Sequence, residues 1–233
     1  MSVGIAKSES GESVSGTRRE PGDVPADAGT DNEAGAGRAK ARDGRDRLLA
    51  GAGRLLAERG YAAMELRDVA ERGQAPRGSI YHHFPRGKSQ LAAEATELDG
   101  IKTREVLEQS LAKRGVKGTL RLFADFFRRQ ASDHPELIGC PVAAAALARP
   151  EDPALAAAAT DAFRSWETAI STALQADGIP PADATAFAAL TVSTIEGALL
   201  RTRAAGNHQP LDLAVRGLES AYDNLTAQAK PTA

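Results

Sequence analysis

The sequence predicts an all-α fold, a three-helix N-terminal domain followed by a larger helical domain, about nine helices in all. Three observations carry this. Apolar residues recur at three- and four-residue spacing, and no alternating β-branched segment is long enough for a strand. Gly and Pro cluster between the periodic stretches. Between Gly60 and Ser89, two short amphipathic segments, Glu65 to Arg72 and Pro76 to His83, are separated by a few residues that include Gly73, the sequence form of a helix-turn-helix.

In chain order, residues 1–40 are rich in Gly, Ser, Asp, Glu and Ala and nearly devoid of large apolar side chains, so a disordered extension is expected. From Asp43, Leu48, Leu49, Ala52, Leu55 and Leu56 form one helical stripe that stops at Gly60, with Gly51 and Gly53 suited to close helix contact. In the first short segment Leu66, Val69 and Ala70 share a face. In the second, Pro76 suits the first helical position, and Ile80 and Phe84 make the buried stripe. That leaves Arg77, Ser79, Tyr81 and His82 outward, with Gly78 keeping the surface low, as a helix pressed into a major groove requires. A long helix is expected from Gly87 or Lys88 past Leu98 toward Leu111. Further helices are expected near 116–131, 140–148, 153–176, 181–204 and 210–227, divided by Gly115, His134-Pro135, Pro150 to Pro153, Gly178 to Pro181 and Gly206 to Pro210. The expected domains are 41–88 and 89–228, with a tail at 229–233.

The run Gly60-Tyr61, Val69-Ala70, Gly78-Ser79-Ile80-Tyr81-His82-His83-Phe84 and Lys88 resembles the DNA-binding domain of the TetR family of bacterial transcriptional regulators, over roughly Arg42 to Leu98. Gly139-Cys140-Pro141-Val142-Ala143 and Ile195-Glu196-Gly197-Ala198 resemble its LmrA-like subgroup. Two departures stand out. Met64 and Glu65 replace the threonines usual before the first short helix, so no hydroxyl caps it, and Glu65 in the first turn is a partial substitute. The turn reads Gly73-Gln74-Ala75 in place of the usual Ala-Gly-Val. Either Gln74 takes a positive φ, at a cost on the order of 1 kcal/mol, or the turn shifts register.

Charge is asymmetric within a net −2: residues 1–37 carry −4, residues 38–88 carry +6 and the remainder −4. Only the helix-turn-helix region is cationic, as phosphate binding there requires. Arg38, Lys40, Arg42 and Arg45 suit either an arm on DNA or a solvated linker. Lys88 reads as a phosphate contact at the start of the fourth helix. Gly87-Lys88-Ser89 is no P-loop, because His82 stands where the leading glycine belongs. Adjacent His82 and His83 cannot chelate a metal together, and His83 is expected partly against the core. The single cysteine, Cys140, reads as a small buried residue at a helix start. No hydrolase elbow, catalytic carboxylate pair, metal site or cofactor motif is found, so no enzyme is expected. No apolar run approaches the ~18 residues of a membrane span and the N-terminus lacks a signal-peptide core, so a cytoplasmic protein without membrane partners is expected.

The second domain has more apolar residues than one helix face hides. Most are core, and Phe123, Phe127 and Trp166 are candidates to line a small-molecule pocket between helices. Ala188, Ala189, Val192, Gly197 and Ala198, with Leu211, Val215, Leu218 and Leu225, are the expected faces of a homodimer, in the four-helix form the resemblance implies. The reading is a dimeric repressor that leaves a palindromic operator when a small apolar or aromatic molecule binds. In it, Arg67, Arg77, Ser79 and Tyr81 meet base edges or nearby backbone, Gly78 admits close approach, and His82 and Lys88 hold phosphate. The alternative is a small-molecule-binding or enzymatic helical protein with vestigial DNA binding.

Overall fold

The structure is a computed structural model that describes residues 30–133 and 139–229. The chain divides into two compact units, Met1–Ala39 and Lys40–Ala233, and the helix-turn-helix with every helix after it lies in the second. The described residues form eight helical elements and no strand: α1 (Thr30–Ala63), α2 (Leu66–Arg72), α3 (Arg77–His83), α4 (Lys88–Asp133), α5 (Pro141–Ala146), α6 (Pro153–Ala176), α7 (Pro181–Ala205) and α8 (Gln209–Ala229). Gly115, at φ 65°, breaks α4 into two helical segments, which accounts for the ninth helix expected from the sequence. Residues 1–29 of the expected disordered extension lie outside the described residues, but α1 begins at Thr30, well before residue 40.

Leu48, Ala52, Leu55 and Leu56 of α1 are fully buried against Met64, Val69, Ile80 and Phe84, the core under the helix-turn-helix. Gly51 lets α1 meet the end of α2: a Cβ there would lie 3.2 Å from the Val69 carbonyl oxygen. Arg47 closes the corner by donating from Nε to the Gly73 carbonyl, 3.1 Å away. α2 starts at Glu65 without a side-chain cap, so Glu65 precedes the first turn and Asp68 is the acid within it.

The turn resolves the displaced glycine. Gln74 has φ 49° and takes the left-handed position, while Gly73 is right-handed at φ −77°. The amides of Gln74 and Ala75 bond the carbonyls of Glu71 (3.1 Å) and Ala70 (2.9 Å), a Schellman ending with glutamine where glycine is usual. Gly73 is needed for another reason: a Cβ there would sit 3.2 Å from the Arg47 carbonyl oxygen. Pro76 is the residue before α3, one position earlier than expected.

In the remainder, α4 packs on α6, α6 on α7 and α7 on α8. Asp152 caps α6 by accepting from the Leu155 amide at 3.0 Å, and the Cys140 sulfur accepts from the Ala143 amide at 3.4 Å at the start of α5. α5 is shorter than the expected 140–148. By length and composition α7 could cross a membrane, contrary to the expectation that no run comes close, and here its buried face packs on α6 and α8.

The expected dimer faces need correction. Ala188, Ala198, Leu211, Val215 and Leu218 are buried within the single chain, because α7 and α8 use those faces against each other and α6. Of the expected residues Gly197 is exposed, and Leu190, Leu200, Leu213 and Gly217 are exposed besides.

Relieving the left-handed strain at Gln74 is expected to outweigh the added chain entropy of glycine. Gln74→Gly should raise unfolding free energy by about 0.5 kcal/mol, and Gln74→Val should lower it by about 1 kcal/mol or more, read from urea unfolding midpoints.

Candidate nucleic-acid interface and internal cavity

α3 presents Arg77, Gly78, Tyr81 and His82 to solvent, with Ile80 beneath them fully buried. Tyr81 is 63% exposed, a large aromatic kept in water. A Cβ on Gly78 would touch nothing within 4 Å, so its smallness is not required by this chain's own packing. Ser79 is partly exposed, and its hydroxyl donates to the Pro76 carbonyl at 2.6 Å, leaving its lone pairs for a ligand. Arg67 lies on α2, its guanidinium bonded to Glu65 at 3.0 Å and Asp68 at 3.2 Å. Lys88 is the first residue of α4. Its ammonium donates to the Ala62 carbonyl at 3.2 Å and lies 4.4 Å from the centre of the Tyr61 ring, with two N–H groups left over.

Of the basic residues that suited an arm, Arg45 is tied to Glu94 and lies 5.3 Å from the Phe84 ring centre; the side chains of Arg38, Lys40 and Arg42 lie outside the described residues. His83 is half-buried, and burial, then His82 and Arg45, hold its pKa below the usual histidine value.

A cavity of about 660 Å³ lies among α1, α4, α5, α6 and α7. Phe123, Phe127 and Trp166 all line it. Trp166 is fixed by a bond from Nε1 to the Gly100 carbonyl, 2.9 Å away, and by the Phe163 ring edge-on at 5.4 Å. The lining is mostly apolar but includes two acids that sequence reasoning did not single out, Asp99 on α4 and Glu196 on α7. Asp99 packs into the space where Gly53 has no side chain. Burial pushes its carboxyl up to about 6, with Lys102 opposing. Burial likewise pushes Glu196 up to about 7, opposed by a hydrogen bond from the Cys140 thiol, which burial and Glu196 hold well above its ordinary value. The available signal for Glu196 was its place in the Ile195-Glu196-Gly197-Ala198 run.

The cavity abuts the end of α1. Arg203 of α7 donates to the carbonyls of Ala57, at 2.8 Å, and Glu58. Gly139 lies against the same Ala57 carbonyl, where a Cβ would come within 2.7 Å. Beside this clamp the Tyr61 hydroxyl donates to Asp152 at 3.0 Å. Burial, then that bond, pushes Tyr61 up to about 12. Burial works against the Asp152 carboxylate, but bonds from Ser89, the Leu155 amide and Tyr61 hold it below its usual range.

The raised acids fix a pH dependence. A carboxyl that holds its proton more tightly folded than unfolded loses stability as pH rises through its folded value, here near 7 for Glu196. His83 acts oppositely, so wild type and variant must be compared. Glu196→Gln is expected to melt higher than wild type at pH 8, by a margin that narrows below pH 7 and closes at about pH 4, under the unfolded carboxyl's ordinary value, in a thermal-melt series across that range.

Residues 48–95 match the bacterial regulatory proteins of the tetR family, and residues 104–216 match the C-terminal domain of LmrA/YxaF-like transcriptional regulators. The chain is 35% identical to the helix-turn-helix-type transcriptional regulator Rv0196 of Mycobacterium tuberculosis, over 76% of this chain and 92% of that one. It is 30% identical to the regulator LmrA of Bacillus subtilis, over 72% and 91%. A TetR transcriptional regulator from Chloroflexus aurantiacus superposes with a TM-score of 0.64 at 31% identity, covering 78% of this chain and 95% of the other. With a helix-turn-helix built on a buried Ile80-Phe84 stripe and both segments matched in order, the chain belongs to the TetR family of DNA-binding transcriptional regulators, with a C-terminal domain of the LmrA/YxaF type.

Proposed function

We propose that this regulator is a dimeric repressor that holds a palindromic operator through residues 41–88 and releases it when a small apolar or aromatic molecule enters the domain at 89–228. The observation that supports it best is the cavity lined by Phe123, Phe127 and Trp166, one wall of which is α7, the helix that also clamps the end of α1 through Arg203. No reaction is assigned to the cavity: its acids and thiol are held in their protonated directions, unsuited to nucleophilic work near neutral pH.

On DNA, the outward face of α3 supplies Arg77 and Tyr81 to base edges or adjoining backbone and His82 to phosphate, with Gly78 admitting close approach. Ser79 contributes as an acceptor. Arg67 reaches DNA from α2 once it leaves Glu65 and Asp68. Lys88 turns its two remaining N–H groups to phosphate from the first turn of α4.

Dimerisation is supported by the exposed side of α7 and α8. Gly197 and Gly217 each sit mid-helix, where glycine costs roughly 1 kcal/mol against alanine, and a Cβ on either would meet nothing within this chain. A second copy packed closely over them accounts for both, with Leu190, Leu200 and Leu213 supplying the apolar contact.

Two substitutions test the DNA assignment by fluorescence anisotropy on upstream duplex and scrambled duplex. Arg77→Ala is expected to cost about 1–3 kcal/mol on the native duplex and little on the scrambled one. Lys88→Ala should weaken binding to both alike and flatten the salt dependence by about one ion. A Lys88→Ala effect confined to one base position would sink its phosphate role.

A further inference from the structure

We propose that the cavity is built for a lipophilic organic cation, a molecule with an aromatic or apolar body and a positively charged nitrogen or phosphorus, held between the aromatic walls and the carboxyls of Asp99 and Glu196. This rests on the reading of the cavity as an effector site. A purely apolar effector has no use for acids in its pocket, and an apolar pocket is less stable for containing them. Neither Asp99 nor Glu196 takes part in an ion pair among the described residues. Glu196 accepts a hydrogen bond from the Cys140 thiol, and Asp99 feels Lys102 through its charge. Two acids kept in an apolar chamber without a cation of their own are a place for one supplied by a ligand.

The aromatic lining agrees with that charge. Phe123, Phe127 and Trp166 line the cavity, and the face of an aromatic ring attracts a cation and repels an anion. The cationic side chains of the lining, Arg54 from α1 and Lys102 from α4, are exposed, so water already solvates them and an anion gains little there. α6 contributes Trp166 and Ile170 without a charged group, and the turn before α5 contributes Cys140, whose thiol donates toward Glu196. Those are the titratable and charged groups that face the two acids. Ligand binding then displaces protons from Glu196 and Asp99, and affinity for a permanent cation rises with pH.

Trp166 is the chain's one tryptophan, so its fluorescence reports occupancy directly. The probes are tetraphenylphosphonium and tetraphenylborate, nearly equal in shape and opposite in charge, titrated into the full chain. The expected result is saturable quenching by the phosphonium with at least about tenfold preference over the borate. That affinity should rise about tenfold from pH 6 to pH 8, as an acid near 7 ionises. The double variant Asp99→Asn with Glu196→Gln should lose both the preference and the pH dependence, while helical circular dichroism and ligand-free operator binding show that it is folded. Equal or stronger binding of the borate, or a preference unchanged in the double variant, overturns the proposal. Adding phosphonium to the protein–operator complex separates the two readings. If the cation binds with the expected preference while the operator stays bound, the ligand class stands and the release mechanism falls.

Discussion

The last turn of α1 ends on carbonyls that its own helix cannot satisfy, because Gly60 at φ 75° carries the chain out of the helix. A helix end inside a fold needs donors from elsewhere, and here they come from Arg203, near the far end of the sequence. That requirement holds the two halves of the second unit together. The guanidinium bonds the Ala57 and Glu58 carbonyls, Gly139 leaves room for the Ala57 oxygen, and Glu58 itself pairs with Arg72 of α2. The core of the helix-turn-helix and the helices around the cavity thus meet at one charged hydrogen-bond cluster. Tyr61 and Asp152 add a second tie, in which a buried carboxylate also caps α6.

Close approach is the second constraint, and it explains residues that helix propensity alone would count as errors. Gly51 and Gly73 bring α1 against the turn of the helix-turn-helix, and Gly100 makes room for Ala162, whose Cβ would stand 2.7 Å from an added methyl. The same contact puts the Gly100 carbonyl within reach of Trp166, so the cavity's main aromatic is oriented by α4. A left-handed glutamine at Gln74 results from this arrangement. The neighbouring glycine is needed where α1 crowds the backbone, and the conformational cost passes to the next residue.

Much of this was legible in the sequence, and what was not has physical causes. Periodicity and Gly/Pro punctuation found each helix though not the early start of α1 at Thr30, and Ile80 with Phe84 was readable as core because both face one way at helical spacing. The turn could be narrowed only to two alternatives, since its outcome depends on a carbonyl of Arg47 that lies 26 residues away from Gly73. Several residues expected on the dimer face are instead buried within the chain, because spacing cannot say which apolar residues of α7 and α8 their neighbours take. Leu211 and Leu218 went inward while Leu213 stayed out. The exposed side of α3 was readable from its spacing, but the bond of the Ser79 hydroxyl to the Pro76 carbonyl and the carboxylates on Arg67 are three-dimensional facts. Asp99 and Glu196 were missed because isolated acids on long helices ordinarily face water.

Under the proposed effector reading, the spacing along α7 offers a route from the cavity to the helix-turn-helix. Glu196 and Arg203 are seven residues apart, two turns of one helix face, so about 10 Å separates a cavity group from the clamp on α1. A ligand shifts the regulator only by the difference in its affinity for two arrangements of these helices. An α7 that moves to seat a bound molecule carries Arg203 with it, and the Ala57 and Glu58 carbonyls must then follow or lose charged hydrogen bonds worth about 1.5–3 kcal/mol each. That is comparable to the 1–3 kcal/mol of typical allosteric coupling, so the clamp is stiff enough to transmit the displacement and small enough for a ligand of modest affinity to work against. Because α1 packs on α2 with no side chain at Gly51 between them, a shift of α1 has no soft contact in which to dissipate before it reaches α3.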